Sequence, residues 1–159
     1  MAKTSAAAEP QATGAVLRLT RRFAAPREAV FDALTRPEAL SRWFGPDGIT
    51  ARNVRVDLRP GGRYSLEMHS AEGEIYRLSG TYREVRPPDK LVLTWVWAEG
   101  DYAGIETLVT IELRDAAGGT AFTLSHEGLP SDEARARHTK GWTSSFGCLD
   151  RFLKDGETS

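Results

Sequence analysis

The stretch "RYSLEMHSAEGEIYRLSGTYREVRPPDKLVLTWVW", Arg63 to Trp97, decides the fold. Apolar and polar residues alternate along it, and a period of two marks strands with one buried face. Tyr64, Leu66 and Met68 fall on one side, with Arg63, Ser65, Glu67 and His69 opposite. Tyr76, Leu78, Gly80 and Tyr82 share a face, as do Leu91, Leu93, Trp95 and Trp97. The breaks between the runs, "SAEG" and "RPPD", carry turn residues. Strands joined by so few residues must be antiparallel neighbours, because a parallel return needs a dozen residues or more.

The same pattern extends to either side. It predicts six strands, at Thr50–Leu58, Arg63–His69, Glu74–Val85, Lys90–Trp97, Ile105–Arg114 and Thr120–His126, with "RPGG", "AEGDYAG" and "DAAGG" as the other connections. Thr107, Val109, Ile111 and Leu113 share a face, and so do Phe122, Leu124 and His126. One side of the meander is therefore apolar and aromatic, and the other is polar. Upstream, "VLRLTRRF" (Val16–Phe23) alternates as a seventh strand. Between it and the meander, "APREAVFDALTRPEALSRWFG" reads as two short helices. Pro26 suits a first helical position, and Val30, Phe31 and Leu34 make an apolar stripe. Pro37 ends the first helix and opens the second, whose apolar side is Leu40, Trp43 and Phe44, and Gly45-Pro46 stops it.

Downstream, Ser131 is the predicted N-cap of a long helix, with Asp132 and Glu133 favourably placed against its dipole. The pattern runs to about Lys154, roughly 24 residues or ~36 Å. Its stripe is Trp142, Phe146, Leu149, Phe152 and Leu153, with His138 one turn before Trp142. Gly141 and Gly147 each weaken it by about 1 kcal/mol relative to Ala, and they let backbone or a ligand come close. The predicted class is α+β: a curved seven-stranded antiparallel sheet around a long C-terminal helix, with two short helices after the first strand. The apolar sheet face needs a cover, and this helix is the only long amphipathic element. A curved sheet gripping one helix leaves a gap between them, and Trp43 and Phe44 are expected to close one end of it.

The chain has 159 residues, 40% hydrophobic and 27% charged, which suits one globular domain. We place that domain at 15–155, between a polar, Ala-rich leader at 1–14, expected to be disordered, and a short tail at 156–159. The leader lacks the apolar core of a signal peptide, and no run approaches the ~20 apolar residues of a membrane span, so a cytoplasmic protein is expected. The net charge is −1 with Lys and Arg spread along the chain, which gives no footprint for nucleic acid or an anionic membrane. Cys148 is the only cysteine and has no intrachain disulfide partner.

"FAAPREAVFDALTRPEALSRWFGP", "RPGGRYSLEM", "SGTYREVRPPDKLVLTW", "ETLVTIEL", "GTAFTLSHEGLP" and "HTKGWTSSFGCLDRFL" occur in this order. With them the chain resembles, from about Val16 to Leu153, the bacterial proteins related to the C-terminal domain of the activator of Hsp90 ATPase. These are homologue 1-like members of the START/Bet v 1-like (SRPBCC) superfamily. The resemblance implies a helix-grip fold with an internal ligand cavity. It does not imply one activity, since relatives are similar to lipid and sterol carriers, aromatic polyketide cyclases, antibiotic-sequestering proteins and chaperone regulators.

The sequence offers little catalytic chemistry. His69, His126 and His138 stand far apart without metal-ligand spacing, so no metal and no cofactor are expected. Ten residues along one helix separate His138 from Cys148, about 15 Å, too far for a thiol–imidazole pair. Acid–base chemistry is the catalytic option that survives, with Asp101 and Glu106 at a cavity mouth and His126, Tyr64 and Tyr76 facing inward. The leading expectation is a binding module for a hydrophobic or aromatic small molecule. Its lining is drawn from Trp43, Phe44, Tyr64, Met68, Tyr76, Trp95, Trp97, Thr107, His126, Trp142 and Phe146. A cyclase or dehydratase and a chaperone-interaction protein are the alternatives, and the exposed sheet edge could pair two copies into a homodimer.

Overall fold

The computed structural model describes residues 15–46 and 48–158, so the expected leader lies outside the described residues. The first strand, β1 (Ala15–Phe23), leads into α1 (Arg27–Thr35) and α2 (Pro37–Trp43). The meander follows as β2 (Ile49–Val56), β3 (Arg63–Ser70), β4 (Ile75–Arg86), β5 (Lys90–Trp97), β6 (Thr107–Ala116) and β7 (Gly119–Leu129). The last element is α3 (Asp132–Thr158). It ends four residues beyond the expected stop at Lys154. At its start Ser131 Oγ accepts the Ala134 backbone N–H at 3.0 Å, the cap that its sequence position predicts.

All seven strands form one antiparallel sheet in the order β1-β7-β6-β5-β4-β3-β2. The meander fills the sheet in sequence order, and β1 closes it by pairing with β7, Arg18 opposite Ser125 and Leu19 opposite Leu124. Its alternation is realised in side-chain burial. Leu66, Leu78, Leu91, Val109, Ile111, Phe122 and Leu124 are all buried on the inner face. Each such aliphatic or aromatic side chain stabilises the fold by about 1.5–3 kcal/mol relative to an exposed position.

At Gly80 strand β4 lies too close to β5 for any side chain. A Cβ there would stand 2.0 Å from the Thr94 carbonyl oxygen and 2.7 Å from the Tyr64 ring, so only glycine fits. The neighbouring Thr81 N–H donates to the Thr94 side-chain hydroxyl at 2.8 Å, and three residues on the β4–β5 register shifts between Tyr82 and Glu84. The space a side chain would need at Gly80 is occupied by the Tyr64 ring and the adjacent strand, and not left open to the pocket.

Helix α3 lies in the concave face. Phe146 packs edge-on against Phe122 and Phe23, with ring centroids 5.1 and 6.3 Å apart, and Leu149 and Leu153 continue this filled half toward the C-terminus. The half nearer the start of α3 is not filled in the same way.

Candidate functional site

Two adjacent aromatics at the end of α2 touch edge to face, ring centroids 5.3 Å apart, yet serve different surroundings. Trp43 turns into the core, 4% exposed, and its indole N–H donates to the Ala33 carbonyl at 2.8 Å, locking α2 onto α1. Phe44 ends α2, its backbone N–H donating to the Leu40 carbonyl at 3.0 Å. Gly45 then takes a φ of 113°, which glycine adopts without strain. The chain turns there toward β2, and the Phe44 ring is left against Trp95 and Trp142, at centroid distances of 6.1 and 6.3 Å.

Beside these rings, between β5 and the first half of α3, is a pocket of about 360 Å³. Phe44, Trp95, Trp97 and Trp142 form its aromatic wall, and Ile49, Met68 and Tyr76 line it from β2, β3 and β4. Glu99, Asp101, Tyr102, Arg137 and His138 stand around it from the β5–β6 loop and α3. Gly141 lies on the pocket side of α3, and a Cβ at that position would meet nothing within 4 Å. A glycine inside a helix is unfavourable, so here the helix gives up propensity and the pocket gains room.

The polar groups around the pocket are engaged with one another. The Trp142 indole N–H, which can only donate, points to His126 Nδ1 at 3.1 Å. His126 Nδ1 therefore accepts, and in the neutral ring Nε2–H donates to Thr107 Oγ1 at 2.7 Å. The Thr107 hydroxyl passes its own hydrogen to the Trp95 carbonyl at 3.0 Å. A second chain runs alongside with the opposite tautomer. The Trp97 indole N–H donates to His138 Nε2 at 3.1 Å, and His138 Nδ1–H donates to the Ala134 carbonyl at 2.8 Å. The two imidazoles lie 5.1 Å apart, centroid to centroid.

Burial pulls the His126 pKa down to about 3, and the neighbouring His138 adds to that shift. His138 is also lowered, chiefly by burial. Both rings are thus neutral near pH 7, and each is an acceptor for one tryptophan. Tyr64, by contrast, donates its hydroxyl to the Thr94 carbonyl at 2.6 Å, and burial raises its pKa well above the ordinary phenol value. At the rim, Arg137 donates to Asp101 at 3.0 Å and to the Tyr102 hydroxyl at 3.3 Å, with its guanidinium over the Tyr102 ring. This ties the β5–β6 loop to α3.

Of the residues predicted from the sequence, Phe44, Met68, Tyr76, Trp95, Trp97 and Trp142 meet around this pocket. Trp43 and Tyr64 sit in the core beside it, His126 and Thr107 form the hydrogen-bonded layer behind Trp142, and Phe146 belongs to the phenylalanine cluster. Of the candidate acid–base groups only Tyr76 and Asp101 line the pocket. Asp101 pairs with Arg137, and Glu106 makes a 3.5 Å surface pair with Arg83. Among the described residues no group of three His, Cys, Asp or Glu side chains is placed to hold a metal ion. Among the lining residues that the sequence reading missed are Ile49, Glu99, Tyr102 and Arg137. The signal for Tyr102 was available: "AEGDYAG" is longer than the other hairpin loops and carries an aromatic.

Comparison with known proteins adds the following. A family model described as "Activator of Hsp90 ATPase homolog 1-like protein" matches residues 24–154. Among solved structures, the chain is similar to the AHSA1 protein of Silicibacter pomeroyi, with 33% identity, a TM-score of 0.79, and coverage of 88% of this chain and 98% of that one. A protein of Nitrosomonas europaea is 31% identical, with a TM-score of 0.76 over 89% of this chain and 95% of its own. One from Chromobacterium violaceum is 30% identical, with a TM-score of 0.79 over 87% and 96%. No curated protein matches the chain.

Proposed function

The chain belongs to the family of activator of Hsp90 ATPase homolog 1-like proteins, and from that membership and the geometry of its pocket we propose that it is a binding protein for a hydrophobic or aromatic small molecule. The observation that carries this reading is the aromatic-walled pocket of about 360 Å³ between sheet and helix. Its size falls in the range of small-molecule sites, and its lining is mostly apolar with a few polar groups at the rim. Gly141 supports the reading, because an alanine there would favour the helix and would meet no steric obstacle.

Binding is favoured over proton-transfer catalysis by the state of the two histidines. A general acid or base must have its proton-carrying atom within reach of the substrate. Every ring nitrogen of His126 and His138 is already committed to a protein partner. It is also favoured over docking of a protein partner. The exposed large hydrophobics among the described residues, Val16, Leu58 and Ile75, are scattered singly and form no patch of the kind that marks an interface.

The test is to plug the pocket. Gly141→Leu places a branched side chain in open space on a helix that tolerates it. Native mass spectrometry of gently purified protein, followed by a thermal-shift screen of flat aromatic and fatty compounds, identifies ligands for the natural sequence. Gly141→Leu is expected to remain folded and to lose at least tenfold in affinity for them. Unchanged binding by the plugged variant would sink the proposal.

A further inference from the structure

The three indoles at the pocket are not equivalent. Trp97 and Trp142 each donate to a histidine. Trp95 stands among them, 6% exposed, with its ring centroid 4.9 Å from Trp142, 5.6 Å from Trp97 and 5.4 Å from His126. Its Nε1–H has no hydrogen-bond partner, and among the described residues it is the only buried side-chain nitrogen or oxygen in that state. An indole N–H is a donor with no capacity to accept, so only an incoming lone pair can satisfy it. The protein supplies none: both ring nitrogens of the neighbouring His126 are engaged by Thr107 and Trp142. Buried donors without partners are rare in native folds and are destabilising.

We propose that Trp95 is the specificity-determining residue of the pocket, and that the ligand is a flat aromatic molecule bearing an oxygen acceptor, such as a ring carbonyl, which takes the Trp95 Nε1–H. This inference rests on the binding reading above and deepens it. The aromatic wall recognises the ring system by its faces, which any planar hydrocarbon would satisfy. The orphan donor distinguishes an oxygenated ring from its hydrocarbon analogue, because a site with a buried donor penalises a ligand that leaves it unpaired. The N–H itself has no exposed surface. Pairing with an occupant therefore requires the indole to turn about its side-chain torsions until donor and acceptor meet.

The test uses 9-fluorenone and fluorene, which share a planar tricyclic frame and differ by a carbonyl in place of a methylene. The natural sequence is expected to bind fluorenone about tenfold more tightly than fluorene. Trp95→Phe keeps an aromatic wall but removes the donor, and is expected to bind the two equally. In ¹H–¹⁵N spectra the indole cross-peak absent from Trp95→Phe should move downfield with fluorenone and not with fluorene. If the natural sequence binds both probes equally, or if Trp95→Phe keeps the preference, the inference is overturned while the binding reading stands. If the natural sequence binds neither probe, the aromatic-pocket reading fails and takes this inference with it.

Discussion

At the scale of single residues, His126 makes the sharpest claim on solution behaviour. Its pKa is about 3 in the folded protein, against about 6.5 in an unfolded chain. Between those values the unfolded state binds the extra proton, so stability is complete above pH 6.5 and falls as the pH is lowered toward 3. The decline approaches ~1.4 kcal/mol per pH unit, or about 2 kcal/mol between pH 7 and 5, where carboxylates contribute little. His138, lowered too, acts in the same direction. Urea unfolding at the two pH values checks this, and equal midpoints would show that His126 is not held neutral by its burial. None of this was legible in the sequence beyond the inward position of His126. Alternation puts the ring on the apolar face, but its pairing with Trp142 depends on the rotation of α3 about its own axis. No local pattern encodes that angle.

At the scale of elements, two glycines look alike in sequence and behave in opposite ways. Gly80 is pressed by the Thr94 carbonyl and the Tyr64 ring, whereas Gly141 faces open space. Gly80→Ala is expected to cost about 3 kcal/mol or more, because backbone must shift to admit the methyl group. Gly141→Ala should gain about 0.5–1 kcal/mol from helix propensity. Thermal or urea melts of the two variants decide the matter, and a stable Gly80→Ala would mean that the close approach of β4 and β5 relaxes at little cost. The elements themselves were legible nearly throughout. Tyr64, Leu66 and Met68 alternate with Arg63, Ser65 and Glu67, Pro37 divides α1 from α2, and Ser131 starts α3 where its cap predicts. The pocket wall was only partly legible. Phe44, Trp95, Trp97 and Trp142 were found because large rings on converging elements must meet. Phe146 shares the stripe of Trp142, yet it lies one turn further into the filled half, and periodicity alone does not say where filling stops.

At the scale of the whole molecule, the pocket should couple ligand to stability. An occupant present at 100 times its Kd adds about 2.7 kcal/mol, which for a domain of this size raises the melting midpoint by roughly 5–10 °C. Calorimetry in increasing ligand should show the midpoint climbing with the logarithm of concentration. A fixed midpoint with a compound known to bind would place its site on the unfolded chain as well, and not in the pocket between sheet and α3. The closing of the sheet by β1 against β7 bears on a different matter, the order of assembly. Residues such as Arg18 and Ser125 face each other across about a hundred positions of chain. Pairings so distant along the backbone carry a large loop-closure cost and place a fold among the slower single domains, in the ~millisecond-to-second range. While the chain is being synthesised, β1, α1 and α2 leave the ribosome long before the strand that completes them. The meander from β2 onward can zip hairpin by hairpin, but the opening segment must wait, its apolar residues uncovered, until β7 has been made.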